Sequence, residues 1–324
     1  MTKTNGIKRF FRSNRFTLLI VLIVVVIVCQ FINPSYLSGE NVRTILYSAS
    51  LAGTLAVGIG CILISGNCDL SAGSVGCMGG IVVALCLETG MNWVLAVIIA
   101  LIFGAAAGAV NALFAFKCRM MPFISTLAMS SVWRGIAYII TDTYNIVIDN
   151  ETFWQLGSLK ILGIPLPFII MCVLMLIYGY ILSSTTFGRK IYMVGGNRQA
   201  ARLAGLSVSK VGTILMINCS MLAALGGVIL SARMHNGSPG SVNGTDLEAI
   251  TASVLGGIAF GGGSGTMSGC FLGVMLLYAF NNGLTFMGLN SYWQIFFGGA
   301  ILVFALAIDF LSSRAKERKL LQKV

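Results

Sequence analysis

Few residues in this chain have side chains suited to chemistry. Asp69 is the only carboxylate between Glu40 and Glu88, and it lies in residues 62–80, ILISGNCDLSAGSVGCMGG. That apolar run is broken by Ser65, Gly66, Asn67 and Asp69, then resumes as small residues and apolars. In lipid, freed backbone groups and a charge both need partners, so such a break survives where it lines a cavity or is wrapped by protein. The bland alternative is a short polar loop between two spanning helices. Arg134 is the only other charged residue away from the ends of an apolar segment, Glu248 and Asp309 standing at the ends of theirs. No Gly-Lys dipeptide occurs, which excludes a phosphate-binding P-loop. The one histidine, His235, excludes an H-E-x-x-H metal pair, argues against a Ser-His-Asp hydrolase, and reads as a solvated side chain in a polar loop. The acids are scattered, so no carboxylate pair for glycoside chemistry is indicated. None of the nine cysteines pairs as C-x-x-C or matches a zinc spacing; they read as small buried apolar residues, and no metal site is expected.

The elements that must hold these residues belong to a membrane. The 324 residues are 57% hydrophobic and 10% charged, against roughly a quarter charged in soluble proteins. The net charge of +11 does not suggest nucleic acid, because the basic residues punctuate apolar runs. Ten segments are long or apolar enough to be read as spans: 17–32, 44–65, 70–87, 94–116, 123–141, 167–184, 211–231, 248–261, 267–286 and 292–310. The expectation is an all-α integral membrane protein of about ten transmembrane helices with broken or re-entrant segments. With the N-terminus in the cytoplasm, the cytoplasmic pieces 1–16, 117–121, 185–210 and 311–324 collect every Lys and Arg except Arg43, Arg134, Lys160 and Arg233. The acids fall mostly on the other side, and both termini are expected to be cytoplasmic. Domain organisation follows: a basic cytoplasmic N-terminus over 1–16, a single transmembrane domain over 17–310 with a cytoplasmic loop over 185–210, and a cytoplasmic tail over 311–324. The basic start resembles a signal peptide, but no small-residue cleavage pattern follows it, so a retained first helix is expected.

In the loop 185–210, Gly195-Gly196-Asn197 signals a turn, Asn197 is suited to cap a short helix over 198–206, and Gly205 would end it. Such a helix either docks another protein or rests on lipid headgroups through Arg198 and Arg202. Glycines four apart at Gly76 and Gly80, Gly104 and Gly108, and Gly265, Gly269 and Gly273 suit close helix contacts. A second break, 258–265, also precedes a glycine-rich helix start. One interruption in each half points to an internal repeat with a pathway between the halves.

At this point the residues resemble a family. SGNCDLSAGS (65–74) is similar to the SGGIDLSVGS signature of ribose-type sugar permeases of bacterial ABC importers, departing from it at Asn67-Cys68. PFISTL (122–127), WRG (133–135), TFGR (186–189), GGN (195–197), AARLAG (200–205), LEAITASVLGG (247–257) and NNGL (281–284) extend the resemblance over nearly the whole chain. It implies a non-catalytic membrane subunit working as a dimer, of identical chains or paralogues. The implied partners are a cytoplasmic ATPase subunit, which would use ATP and Mg, and an extracytoplasmic sugar-binding protein. No cofactor would bind this chain directly. Gly196, Asn197, Arg198, Ala201, Arg202, Leu203 and Gly205 match the ATPase-coupling segment. Asn67, Asp69, Ser71, Ser74 and Asn281 become candidates for pathway lining, each equally explained by capping or helix-to-helix hydrogen bonds; for Asp69 the cap is preferred. Arg134 is expected to pair with a carbonyl or an outer acid. The competing reading is a self-sufficient, ion-coupled sugar carrier, disfavoured because only Asp69 and Arg134 carry charge away from segment ends. A membrane enzyme or scaffold is a distant third, for want of a catalytic constellation.

Overall fold

Apolar runs in a bilayer fold as helices because only a helix or a closed barrel satisfies its own backbone. The computed structural model describes residues 14–321, and the basic residues Lys3, Lys8, Arg9 and Arg12 lie outside that range. In chain order the helices are α1 (Asn14–Ile32), α2 (Gly39–Ile64), α3 (Ala72–Glu88), α4 (Trp93–Ala112), α5 (Pro122–Thr141), α6 (Glu151–Ser158), α7 (Leu166–Ser184), α8 (Thr186–Gly196), α9 (Arg198–Leu203), α10 (Val208–Met234), α11 (Thr245–Leu255), α12 (Met267–Phe286) and α13 (Ser291–Leu321). Four two-residue strands, β1 (Ile146–Val147), β2 (Lys160–Ile161), β3 (Ile164–Pro165) and β4 (Asn236–Gly237), make two short ladders, β1 with β4 and β2 with β3.

Among the described residues seven helices are long and apolar enough to cross a membrane: α1, α2, α4 with its continuation to Lys117, α5, α7, α10 and α12. Helix α3 and the apolar part of α13 (291–307) are shorter. The remaining expected segment, 248–261, is helical only to Leu255. Eleven residues rise about 16 Å, half a bilayer core, so α11 cannot cross alone. The glycines that follow it explain the early end: Gly257 takes φ +85°, and the turn closes with Gly257 N–H on the Val254 carbonyl and Ile258 N–H on Ser253.

Helices α2 and α10 form the centre, with α10 packed on α2, α3 and α4, and α2 packed on α7, α11 and α12. The glycine pairs sit at these crossings. A Cβ on Gly104 or Gly108 would press on Ser220 and Ile217 of α10, one on Gly76 or Gly80 on Ala223 and Gly227, and one on Gly269 or Gly273 on the Gly256 and Ala252 carbonyls. Close backbone approach is what such small residues allow between helices.

At one end of the bundle α6, β1 and β4 form a cap. Trp154 stacks on His235 with ring centroids 4.2 Å apart and donates through Nε1 to the Ile148 carbonyl. The segment between α10 and α11, residues 235–244, runs down the glycine face of α3. A Cβ on Gly237 would meet Ala84, and one on Gly73 would lie 2.9 Å from the Val242 carbonyl oxygen and 3.1 Å from Asp246. From Ala84 back to Gly73 is about 16 Å of helix. The segment therefore enters the protein interior and hands over to α11 beside the broken stretch.

Candidate functional site

The chain stops being helical after Ile64 through local chemistry. Ser65 closes the last turn, Gly66 takes φ +74°, Gly66 N–H bonds the Leu63 carbonyl and Asn67 N–H the Ile62 carbonyl. This is the same left-handed ending that closes α11. Residues 68–71 then cross an interior gap to α3, and every polar group there must find a protein partner. Asp69 is fully buried, and its Oδ1 accepts from the Ser71 amide at 2.9 Å and from the Ser71 hydroxyl at 2.5 Å. Ser71 Oγ in turn accepts from Asn111 Nδ2 at 2.7 Å, and Asn111 Oδ1 accepts from Trp133 Nε1 at 3.1 Å. The network joins the break to α4 and α5. Leu70 N–H donates to Thr126 Oγ1, and Ser74 shares a 2.9 Å hydrogen bond with Ser130, so α5 is bound to the break at three levels. Asp69 Oδ2 is buried without a hydrogen-bond partner.

Above this core, Arg134 of α5 donates from Nη1 to the carbonyls of Pro239 and Ser241, both at 2.7 Å. The Cys77 thiol donates to Ser238 and Pro239 carbonyls at 3.3 Å. These bonds hold the inward-running segment in place and satisfy backbone that no helix satisfies.

Below the core, three interruptions meet. A Cβ on Gly195 would lie 1.8 Å from the Ile64 carbonyl oxygen, one on Gly262 2.6 Å from Gly66 N, and one on Gly263 2.7 Å from Gly196 Cα. Gly263 N–H donates to the Ile64 carbonyl at 2.8 Å, capping the open end of α2. Arg198, the first residue of α9, donates from Nη2 to the Gly66 carbonyl and, at 2.9 Å, to Asn67 Oδ1. Asn197 Oδ1 caps α9 by accepting from Gln199 N and Ala200 N, both at 2.9 Å, and Gly205 at φ +79° ends it. The helix leaves Leu203 88% exposed and Ala201 buried. Beside the junction lies a cavity of about 1180 Å³ whose wall carries Lys117, Arg119, Arg198 and Arg202 and reaches Asn67.

A family model described as branched-chain amino acid transport system / permease component matches residues 41–306. The ribose import permease protein RbsC of Bacillus subtilis is 35% identical over 290 residues, 89% of this chain and 90% of that protein. The Escherichia coli K12 ribose import permease is 34% identical over 295 residues, covering 90% and 92%. The L-arabinose transport system permease protein AraH of Escherichia coli K12 is 32% identical over 312 residues, covering 94% and 92%. The chain belongs to the family of ribose-type sugar permeases of ABC importers. It is a multi-pass membrane protein.

In this permease the structure sets Asn67, Asp69, Ser71, Ser74 and Arg134 in a column along the break and α5, as separate groups: Asn67 with Ser65 and Arg198, Asp69 with Ser71, Ser74 with Ser130, and Arg134 with two carbonyls. It does not bring Asn281 there. Asn281 is buried in α12 with its Oδ1 unpartnered, and its neighbour Asn282 exchanges hydrogen bonds with Asn41 in the first turn of α2. The break begins 24 residues further along that helix from Asn41, about 36 Å away. An asparagine in an apolar helix has the same sequence signature wherever it faces, which is why grouping by residue type misplaced it. Asn111, Thr126, Ser130 and Trp133 complete the column and were not singled out from sequence. The available signal was spacing: Thr126, Ser130 and Trp133 lie four and three apart on one face of α5.

Proposed function

We propose that this permease is the non-catalytic membrane subunit of an ATP-driven importer that moves a monosaccharide or similar small polar solute across the bacterial inner membrane by alternating access. One observation carries the reading: the short exposed helix α9 and the end of α8 just before it are tied by Arg198 and Gly195 to the break after α2 and, where Gly195 and Gly196 meet Gly262 and Gly263, to the break after α11. A push on α9 thus reaches both interrupted segments without passing through a flexible linker. The exposed Leu203, flanked by Arg202, suits a docking groove on a cytoplasmic ATPase subunit, which binds the ATP and Mg. An extracytoplasmic binding protein would deliver solute at the end capped by α6 and the β1–β4 ladder, and a second copy or paralogue would complete the permease. The buried polar column from Asn67 to Arg134 gives the solute hydrogen-bonding partners while α5 shifts against the break. The relatives' names, ribose and arabinose permeases, favour a pentose-sized sugar over the amino acid of the family description.

The test is uptake in proteoliposomes holding the permease, its ATPase and its binding protein. Sugar accumulation is expected only with all three and ATP present. Uptake by the permease alone on a proton gradient would replace this reading with an ion-coupled carrier.

A further inference from the structure

A second cavity, of about 750 Å³, opens between α1, α7, α8 and α12. Its walls are apolar, built from residues such as Leu19, Met175, Gly179 and Phe271, and along α7 it runs from Cys172 to Ser183, about 16 Å. Among the described residues Arg15 is the only charged one lining it, and it stands exposed at the same end as Tyr192, Thr266 and Ser268. No described residue forms an ion pair with Arg15. The N-terminus of the 20-residue helix α12 opens at this same mouth, with no acid in its first turn. The amides of Met267 and Ser268 there have no intrahelical acceptor, and the helix dipole favours an anion. None of the residues named for the polar contacts around the first break lines this groove, whose mouth adjoins the second break: Tyr192 donates to the Gly265 carbonyl at 2.8 Å.

An apolar channel that ends in an unpaired guanidinium and a helix N-terminus has the charge layout of an amphiphile with an anionic head. We propose that the groove is a binding site for an anionic phospholipid, with one acyl chain along α7 and α12 and the phosphate on Arg15 and the first turn of α12. Arg offers a planar fork that matches two phosphate oxygens, and Thr266 and Ser268 add hydroxyl donors. Basic pockets between membrane helices at the cytoplasmic leaflet bind such headgroups. A bound lipid would bridge α1 to the helix that follows the second break.

The test measures the unfolding midpoint of full-length permease in detergent, titrated with phosphatidylglycerol, phosphatidylcholine or inorganic phosphate. Phosphatidylglycerol is expected to raise the midpoint by several degrees more than phosphatidylcholine, and phosphate to leave it unchanged. Arg15→Ala should lower the phosphatidylglycerol response to the phosphatidylcholine level, while Lys210→Ala keeps it. Gly179→Phe should abolish it by filling the channel, since a Cβ there meets only Met267 at 3.6 Å. Equal responses to the two lipids, or a shift reproduced by phosphate alone, would overturn the proposal. So would a Gly179→Phe variant that keeps the lipid response but loses self-association, which would assign the groove to a second copy. If the variants do not fold, native mass spectrometry of the unmodified protein decides: retention of phosphatidylglycerol under activation that strips phosphatidylcholine supports the site, and equal stripping sinks it.

Discussion

Asp69 shows what a buried acid does in a broken membrane segment. The expected cap is not Asp69 itself: Ser71 is the N-cap of α3 and makes no side-chain cap bond. Asp69, two residues earlier, holds Ser71 by its amide and hydroxyl through Oδ1, while Oδ2 goes unpaired. Removing the carboxyl orphans the Ser71 amide and breaks the chain of bonds to Asn111 and Trp133, so Asp69→Ala is expected to cost roughly 2 to 4 kcal/mol. Asp69→Asn keeps an acceptor for Ser71 and exchanges one unpaired polar atom for another. It should stay within about 1 kcal/mol of the parent. Denaturant unfolding in mixed micelles separates the two; equal losses would show that the charge itself holds the break. Asp69 was legible from sequence because it is alone in its stretch. Its network was not, because Asn111 lies 40 residues from Ser71, and Trp133 a further 22 on. Contacts of that range are set by helix packing, which leaves no local trace. Arg134 was expected to meet a carbonyl or an acid and meets two carbonyls, on a segment whose inward path only the glycine face of α3 explains.

At the scale of elements, hydropathy located a helix in each of the ten expected segments, and the glycines marked both breaks. What the pattern did not show is that the breaks and the α8–α9 turn come together at one point. Glycine-rich runs look alike in sequence, and their meeting depends on the lengths and tilts of α2, α7 and α12. The junction makes two contrasts measurable. Gly195→Ala would drive a methyl into the Ile64 carbonyl and should cost about 1 to 3 kcal/mol or block assembly, whereas Gly196→Ala, with nothing within 4 Å, should be near neutral. Melting of the two purified variants tests this, and similar midpoints would count against the packing. The second contrast separates docking from transmission. Arg202→Glu reverses the charge beside the exposed Leu203 and should weaken co-purification of the ATPase subunit. Arg198→Ala removes the bonds to Gly66 and Asn67 and should keep co-purification while lowering ATP-driven uptake at least tenfold, a loss of about 1.4 kcal/mol in coupling. Loss of association in both variants would make Arg198 part of the docking surface.

For the whole molecule, the charge pattern and the fold agree on two unlike ends. Lys117, Arg119, Arg198 and Arg202 gather around one cavity at the junction end. Arg43, Lys160 and Arg233 belong to the opposite end, where Arg233 stacks over the Tyr47 ring at 4.4 Å and Tyr47 bonds the Ser158 carbonyl. A stacked arginine and a charge drawn to a cytoplasmic surface are physically different uses of the same residue type. Of the three, only Arg233 has such a contact, while Arg43 and Lys160 are exposed at that end. The two ends also differ in what a partner would meet: a short helix with an exposed leucine at the junction end, and a folded cap at the other. Sidedness follows from the reading that α9 meets a cytoplasmic ATPase, and it can be tested without transport. Cys118 is exposed and sits between α4 and α5 at the junction end. Leu162, between β2 and β3 at the cap end, is 98% exposed. A membrane-impermeant maleimide applied to intact spheroplasts should leave Cys118 unlabelled and should label it in inverted vesicles. A Leu162→Cys variant with Cys118 replaced by Ser should show the reverse. Labelling of Cys118 from outside would invert the molecule in the membrane, and α9 could then no longer be the contact for an ATP-hydrolysing subunit.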